Sequence, residues 1–458
     1  MSLKNRGSHV KISGCYIVLM VFAAILIVSF TVFYILIWRV PDNSEKIRPI
    51  LERQDKYLSM GLAIPPDQNG WTYYEKALKS IDNKPLAKIT PKPPWYEANK
   101  VLMIIERGVT GKEKEMVEKF VRKNAKILKV VDKGYEKNDF FILPYIPGKT
   151  PRYRGSWQID YLGYFLILMG DRAVQKGEPK TAARYYLEAI HIEYASQSSV
   201  VNSNKISFSS TWMARRKLMT LMNKKEIPAK LLEYITDQLK RMNRNQIKYS
   251  DIVEYDLYSE VETMNMARNQ SPPGAFKYLP VGILIDREKR IMENCYLELL
   301  EAIAEPYPSA LKKIDKIEIP KTSFWRYGRQ WIENQKRKYS LFLSRRVELK
   351  GTLILAALHW YRAKNGKYPD KLSQLVPNYL KEIPRDPFST DGKFRYKKEK
   401  DGTILLYSVG VDMIDDGGTN PQSRFSMMGD IIFIEKKSGT GGSSAGGLRT
   451  QEIPVYGQ

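Results

Sequence analysis

Cysteine and histidine are nearly missing from this chain. Its 458 residues hold two cysteines, Cys15 and Cys295, and three histidines, His9, His191 and His359. Cys15 falls inside a long apolar run, so a disulfide to Cys295 is geometrically implausible and the fold must stand without covalent staples. The scattered histidines exclude a His-rich metal centre, and a Ser-His-Asp arrangement would have to grow around one isolated imidazole. His191 and His359 read as ordinary residues on helix faces. Phosphate motifs are missing too: there is no Walker loop and no dinucleotide fingerprint, and Gly439 to Gly447 lacks the strand and helix that a phosphate cradle needs. The acidic pairs Asp251/Glu254 and Asp415/Asp416 could supply an acid and a base, but neither adjoins a recognisable binding motif. No enzymatic activity is legible.

What the chain has in excess is positive charge and one apolar run. Lys and Arg number 74 against 50 Asp and Glu, a net charge of +24. Such a field favours anionic partners, among them lipid head groups, acidic wall polymers and nucleic acid. Basic clusters recur at Arg215-Arg216-Lys217, Lys224-Lys225, Arg287 to Arg290 and Lys336 to Lys350; the last reads as the amphipathic start of a long helix with its charges solvated. Cys15 to Trp38 carries no charge, and as a helix it reaches about 36 Å, enough to cross a bilayer with some tilt. Tyr16, Tyr34 and Trp38 stand near its ends, where amphipathic rings favour the interface. The run is too long for a cleavable signal peptide and no Ala-x-Ala-like site follows it. It also follows Cys15 instead of preceding it, which argues against lipoprotein processing. A short basic amino-terminus (Lys4, Arg6, Lys11) favours the cytoplasm, which places the bulk of the chain on the periplasmic or extracellular side of a cytoplasmic membrane. That location ranks nucleic acid last among anionic partners.

Beyond Pro41, helix signals run at Asn69 to Ile81, Lys112 to Val131, Ile159 to Met169, Lys180 to Ala195, Ser210 to Met222, Pro228 to Met242 and Arg287 to Ala304. Lys92-Pro93-Pro94, Pro144 to Pro151 and Ser271-Pro272-Pro273 punctuate them. From Gly351, apolar residues Leu353, Leu355, Ala356, Leu358 and Tyr361 share one helix face, which stops at Asn365-Gly366. Short segments Leu372 to Val376 and Tyr379 to Ile383 follow, and Pro384 and Pro387 then force extended backbone. Strand-like runs Phe394 to Tyr396 and Thr403 to Val409 flank the Asp401-Gly402 turn signal of a hairpin. Downstream of Ile434, the Gly/Ser-rich Ser438 to Gly447 has too little apolar area to offset ordering entropy.

In Ala356 to Pro369 (AALHWYRAKNGKYP), Tyr379-Leu380, Asp386-Pro387, Leu406 to Gly410 (LYSVG) and the acidic, glycine-rich loop Asp412 to Gly418, the chain resembles the periplasmic domain of the type II secretion major pseudopilin. The resemblance implies a module, a helix followed by a small antiparallel sheet, and names no reaction. It also implies a structural Ca²⁺ in the loop after the corresponding strand, which by position falls on Asp412, Asp416 and Asp430, with Asp415 beside them. Clustered carboxylates with intervening glycines suit a hard cation that takes six to eight oxygens. A prepilin leader would end in a glycine such as Gly14, but Leu19 stands where the acidic residue of a filament-forming pilin is expected. A second resemblance is local: Leu162 to Gln175 and Lys180 to Ala195 form a tetratricopeptide-like hairpin, with Ala182, Tyr186 and Ala189 at the interlocking spacing.

The expected fold is mostly α with a C-terminal α+β module. In order it comprises a basic cytoplasmic tail (1–14), a transmembrane helix (15–38), an irregular helical bundle (39–335), a pseudopilin-like domain with a long helix packed on a small antiparallel sheet (336–436) and a disordered tail (437–458). The expected function is that of a single-pass, non-catalytic cell-envelope protein acting in assembly, secretion or scaffolding through contacts with envelope proteins. The alternative is an envelope enzyme or binding protein acting on an acidic wall polymer.

Overall fold

The computed structural model describes residues 14–38, 40–82, 84, 111–141, 156–197, 209–224, 227–244, 247–269, 281–320, 323, 328–419 and 428–434. The basic tail over 1–13, the Lys92-Pro93-Pro94 and Ser271-Pro272-Pro273 breakers, the Pro144 to Pro151 loop and the tail over 437–458 lie outside the described residues. The chain is mostly helical, with a three-stranded antiparallel sheet near its carboxyl end.

Helix α1 (Gly14–Trp38) spans the apolar run. From Val18 to Val32 its large apolar side chains are between 50% and 71% exposed, so protein covers them on no side. Among the residues whose side chains are described, which for α1 are residues 18–32, no helix is long and apolar enough to cross a membrane. Past α1 the backbone is pinned to the helical body: Asn294 donates to the Pro41 carbonyl (3.2 Å), Asn43 donates to Asn294 (2.8 Å) and Arg290 pairs with Asp42 (3.2 Å).

The body continues through α2 (Ser44–Leu62), α3 (Gly70–Ser80), α4 (Gly111–Asn124), α5 (Leu128–Tyr135), α6 (Ser156–Gln175), α7 (Pro179–Gln197), α8 (Ser209–Met222), α9 (Ala229–Arg244), α10 (Tyr249–Asn269), α11 (Val281–Ile303) and α12 (Tyr307–Ile314). Most of these match the expected helices within a few residues. The run expected over Lys112 to Val131 is interrupted by the tight turn Ala125–Ile127, where buried Asn124 donates to the carbonyls of Phe120 and Asp82 and so leaves the helix path. Helices α2, α10 and α12 lie outside the helical runs read from the sequence. Pro49 sits inside α2 and masks it. α10 buries Tyr249, Ile252, Val253, Tyr255, Leu257, Tyr258 and Val261, which wrap around the helix and leave no clean apolar stripe.

The α6–α7 hairpin forms as its spacing requires. Ala182, Tyr186 and Ala189 are buried, and a side-chain carbon at Gly170 would lie 2.4 Å from the Tyr186 ring, so only glycine admits that ring. The Tyr186 hydroxyl donates to Asp171, which also holds Lys217 of α8 at 2.8 Å.

The longest helix, α13 (Gly328–Asn365), packs on α8, α9 and α12 and then on the sheet. Residue 336, where the terminal domain was expected to begin, lies inside it. The sheet has the order β1 (Arg395–Lys398), β2 (Ile404–Ser408), β3 (Ile431–Ile434). β1 and β2 pair from Arg395↔Tyr407 to Lys398↔Ile404 across the Asp401-Gly402 turn, where Gly402 takes the left-handed φ of 79°. β3, absent from the sequence reading, pairs with β2 from Ser408↔Ile431 to Leu406↔Ile434 with a bulge at Leu406/Tyr407. Phe433 lies against Gly351 of α13, where an added side-chain carbon would come within 2.0 Å of its ring. Among the described residues one large apolar core runs from Ile47 in α2 through α13 to Phe433, with a second small cluster of Leu58, Phe141 and Tyr258 beside it.

Candidate functional site

The loop between β2 and β3 gathers the residues that the sequence singles out. After β2 the backbone turns at Gly410 (φ 73°), whose place would put a side-chain carbon 2.2 Å from the Gly429 carbonyl; the two ends of the loop meet there. Asp412 and Asp430 then clamp the ends reciprocally. Asp412 Oδ2 accepts from Gly429 N (2.6 Å), and Asp430 Oδ2 accepts from Gly418 N (2.8 Å). These carboxylates replace the ladder hydrogen bonds that an irregular loop cannot make.

The acids differ sharply in their surroundings. Asp415 is taken up by protein partners: Arg395 Nε donates to Oδ2 (3.0 Å), and the Tyr407 hydroxyl (2.8 Å) and Gly417 N (3.1 Å) donate to Oδ1. Burial pushes its carboxyl up, but the Tyr407 and Arg395 hydrogen bonds outweigh it and hold Asp415 below the usual carboxylate range. Arg395 also grips Asp391 through Nη1 (3.0 and 3.1 Å), so one guanidinium joins two loops. Asp430 is fully buried and its Oδ1 has no protein hydrogen-bond partner. Burial raises its pKa, the Gly418 and Asp416 amides oppose the rise, and the Asp415 and Asp416 charges add to it. The Asp416 carbonyl accepts from the Thr419 hydroxyl (2.6 Å). Of the four predicted ligands, the structure therefore places Asp412 and Asp430 in one clamp and assigns Asp415 to Arg395. Among the described residues, no group of three His, Cys, Asp or Glu side chains is gathered to hold a metal ion. The orphaned Asp430 Oδ1 is the one atom here whose chemistry calls for a cation or a proton.

Other sequence candidates resolve into structural roles. Glu254 pairs with Arg53 (2.7 Å), and Asp251 accepts from the Lys248 amide (2.9 Å) at the start of α10. His191 is 8% exposed, and its Nδ1 shares a hydrogen bond with the Tyr74 hydroxyl (2.9 Å), with Tyr135 and Phe140 edge-on around it. Burial and then Arg241 push its pKa down to about 3, so the ring is neutral. His359 is fully buried beside Tyr368 (3.1 Å) and is likewise pushed down to about 3 by burial and Arg362. Neither imidazole lies on an open helix face.

Many cations of the basic clusters turn inward, although Arg216, Lys224 and Arg337 stay exposed. Arg215 pairs with Glu348, Lys336 with Asp315 (2.8 Å), Lys338 with Asp256 (3.1 Å), and Arg345 with Glu348 (3.2 Å). Arg346 donates to the Ile247 carbonyl and Lys350 to the Arg385 carbonyl (3.0 Å). The expectation of a solvated run over Lys336 to Lys350 is corrected: these cations lace α13 to α8, α10 and the loops beside it. Their acceptors lie far away in sequence, which is why the run reads as a surface when taken alone. Comparison with known proteins gives no matching family model, no matching curated protein and no matching solved structure.

Proposed function

We propose that this chain is a single-pass membrane protein of the cell envelope whose helical body and terminal α+β module act in assembly, secretion or scaffolding through protein contacts, without catalysis. The observation that carries the reading is α1. Its large apolar side chains from Val18 to Val32 stand half or more exposed, and each gains roughly 1.5–3 kcal/mol on leaving water. A bilayer supplies that environment, and the uncharged run from Cys15 to Trp38 has the length for it. The body then lies on the periplasmic or extracellular side, in keeping with the short basic amino-terminus.

The non-catalytic part is supported by the fate of the reactive groups. The acids and imidazoles named above are bound to arginines, amides and hydroxyls, and the terminal helix, hairpin and acidic loop fit the resemblance to a pseudopilin module. A structural Ca²⁺ belongs to this reading: Asp430, through its orphaned oxygen, together with Asp412 and Asp416, would hold it and so tie the loop ends. The alternative, an enzyme or binding protein for an acidic polymer, drew on basic clusters that are largely paired with acids.

Membrane fractionation of the intact protein with alkaline carbonate extraction, followed by cross-linking in the native membrane, tests the reading. Expected are retention in the membrane pellet and recovery of envelope proteins as cross-linked partners. Release into the soluble fraction, or cross-links only to cytoplasmic proteins, overturns it.

A further inference from the structure

Away from the acidic loop, two carboxyl groups meet in the seam between α5 and α7. Glu188 lies in the middle of α7 with its side chain fully buried. Its Oε1 accepts from Arg184 Nε (2.8 Å), one turn earlier on the same helix. The other arm of that guanidinium, Nη2, reaches Asp132 Oδ1 of α5 at 2.7 Å. One arginine thus serves two acids. Glu188 Oε2 is a buried atom without a hydrogen-bond partner, and Asp132 Oδ1, also buried, has only its ion pair with Arg184. Two ionised carboxylates would leave this seam with an uncancelled negative charge and an unsatisfied oxygen on the fully buried Glu188, each costly out of water. One proton between them removes both faults: it neutralises the trio and makes a carboxyl-to-carboxylate hydrogen bond.

We propose that Asp132 and Glu188 share a single proton, and that losing it unlatches α5 from α7, which makes this seam a pH-sensitive latch in the helical body. The groups facing the pair leave it that role. From α3, the Tyr74 hydroxyl is hydrogen-bonded to neutral His191. From α5, Tyr135 donates to Gln238 (2.9 Å). From α7 come Tyr185 and His191, and from α9 come Tyr234 and Arg241. Burial holds all four tyrosines above their ordinary pKa, so they stay protonated through the range in question. Arg241 is occupied by the Lys137 carbonyl and Asn138 (3.1 Å), so among the described residues Arg184 is the cation that contacts the pair.

The direction of the response follows. Burial first, then the Asp132 charge, push Glu188 up to about 8, with Arg184 opposing. The folded state therefore binds this proton more tightly than the unfolded chain, whose glutamate titrates near 4.5. Its contribution to stability is full below about pH 4.5 and is lost as pH rises through about 8. α3 keeps its own contacts with α6 and α7, including the Tyr74–His191 bond, so release of the seam loosens α5 in particular.

The full chain in detergent micelles provides the test. Carbon-13 NMR of labelled glutamate, assigned with Glu188→Gln, reads the titration directly, and amide exchange over residues 125–137 at pH 6.5 and 9, corrected for intrinsic rates, reads the latch. Expected are a Glu188 midpoint between pH 7 and 9 (about 8) and roughly tenfold faster exchange of α5 at pH 9. That pH response should vanish in Glu188→Gln, whose amide mimics the protonated acid. Asp132→Asn serves as a second variant should the first fail to fold. A Glu188 midpoint near 4.5, or an α5 response at pH 9 unchanged in the variant, overturns the proposal.

Discussion

The helical body and the terminal module each bring acids together, and they solve the resulting repulsion in opposite ways. In the body, Asp132 and Glu188 have one arginine between them in a buried seam, and the pair keeps a proton. In the module, Asp391 and Asp415 also share one arginine, Arg395, but hydroxyls and backbone amides join it. Ser389 (2.5 Å) and the Lys393 amide (3.1 Å) serve Asp391, while Tyr407 and Gly417 serve Asp415. Both are held ionised: Asp391 is depressed by Ser389 first and Arg395 next, and Asp415 falls below its usual range despite burial. With the same number of acids and arginines, burial decides protonation first and the supply of donors next: Glu188 is fully buried, whereas Asp391 and Asp415 are near half exposed and richly bonded. Donor-rich loop ends can keep charge. A helix seam, whose amides are spent inside the helices, cannot.

Four measurements would break or sharpen that contrast. The largest effect concerns the core common to both regions: Phe433→Ala in the module and Phe120→Ala in the body should each cost about 3–5 kcal/mol, read as a drop in the urea midpoint. Both should shift one transition; two separately moving transitions would show that body and module unfold apart. The next effect is the pH dependence of the module. Depressed carboxylates contribute stability above the unfolded value of 3.8, and it is lost as pH falls through their folded values. Proteolysis within residues 409–430 should therefore accelerate below about pH 4, opposite in sign to the seam in the body. Replacing Arg395 with Leu should lower stability by about 1 kcal/mol at neutral pH and erase much of that acid response, as monitored by thermal melts at pH 3 and 7. The smallest effect is expected of Asp430→Asn, which keeps an acceptor for the Gly418 amide and removes a buried charge. It should change stability by under about 1 kcal/mol in chelator. It should also abolish any rise in melting temperature on adding Ca²⁺; a rise that survives the substitution would place the ion elsewhere.

The module was the more legible region, for local reasons. Asn365-Gly366 ends α13, Asp401-Gly402 turns the hairpin, and each signal lies beside the element it shapes. β3 was missed because Ile431–Ile434 pairs with β2 across a long loop, with no adjacent turn residue to announce it. The candidate loop was legible as an acidic cluster and no further. Nothing in Asp412 to Gly418 reveals that Arg395, on a preceding strand, removes Asp415 from the set. The seam was opaque in the same sense, since Glu188 and Asp132 meet only when α5 packs on α7. His191 and His359 read as ordinary helix residues, whereas His191 is ringed by Tyr74, Tyr135 and Phe140 and His359 is buried against Tyr368, all supplied by other segments.

Helix α13 has a mechanical consequence. Over Gly328–Asn365 it runs unbroken for 38 residues, about 57 Å, with α8 and α9 docked along it and Phe433 of β3 against Gly351. Tyr307 of α12 rivets its flank, bonded to Ser340 (2.8 Å) and stacked edge-on against Phe388 of the module (4.9 Å). The terminal sheet is thus mounted on a strut and does not hang from a tether. A load applied to the sheet by a partner would pass along α13 into the helical body, toward the residues that pin the base of α1.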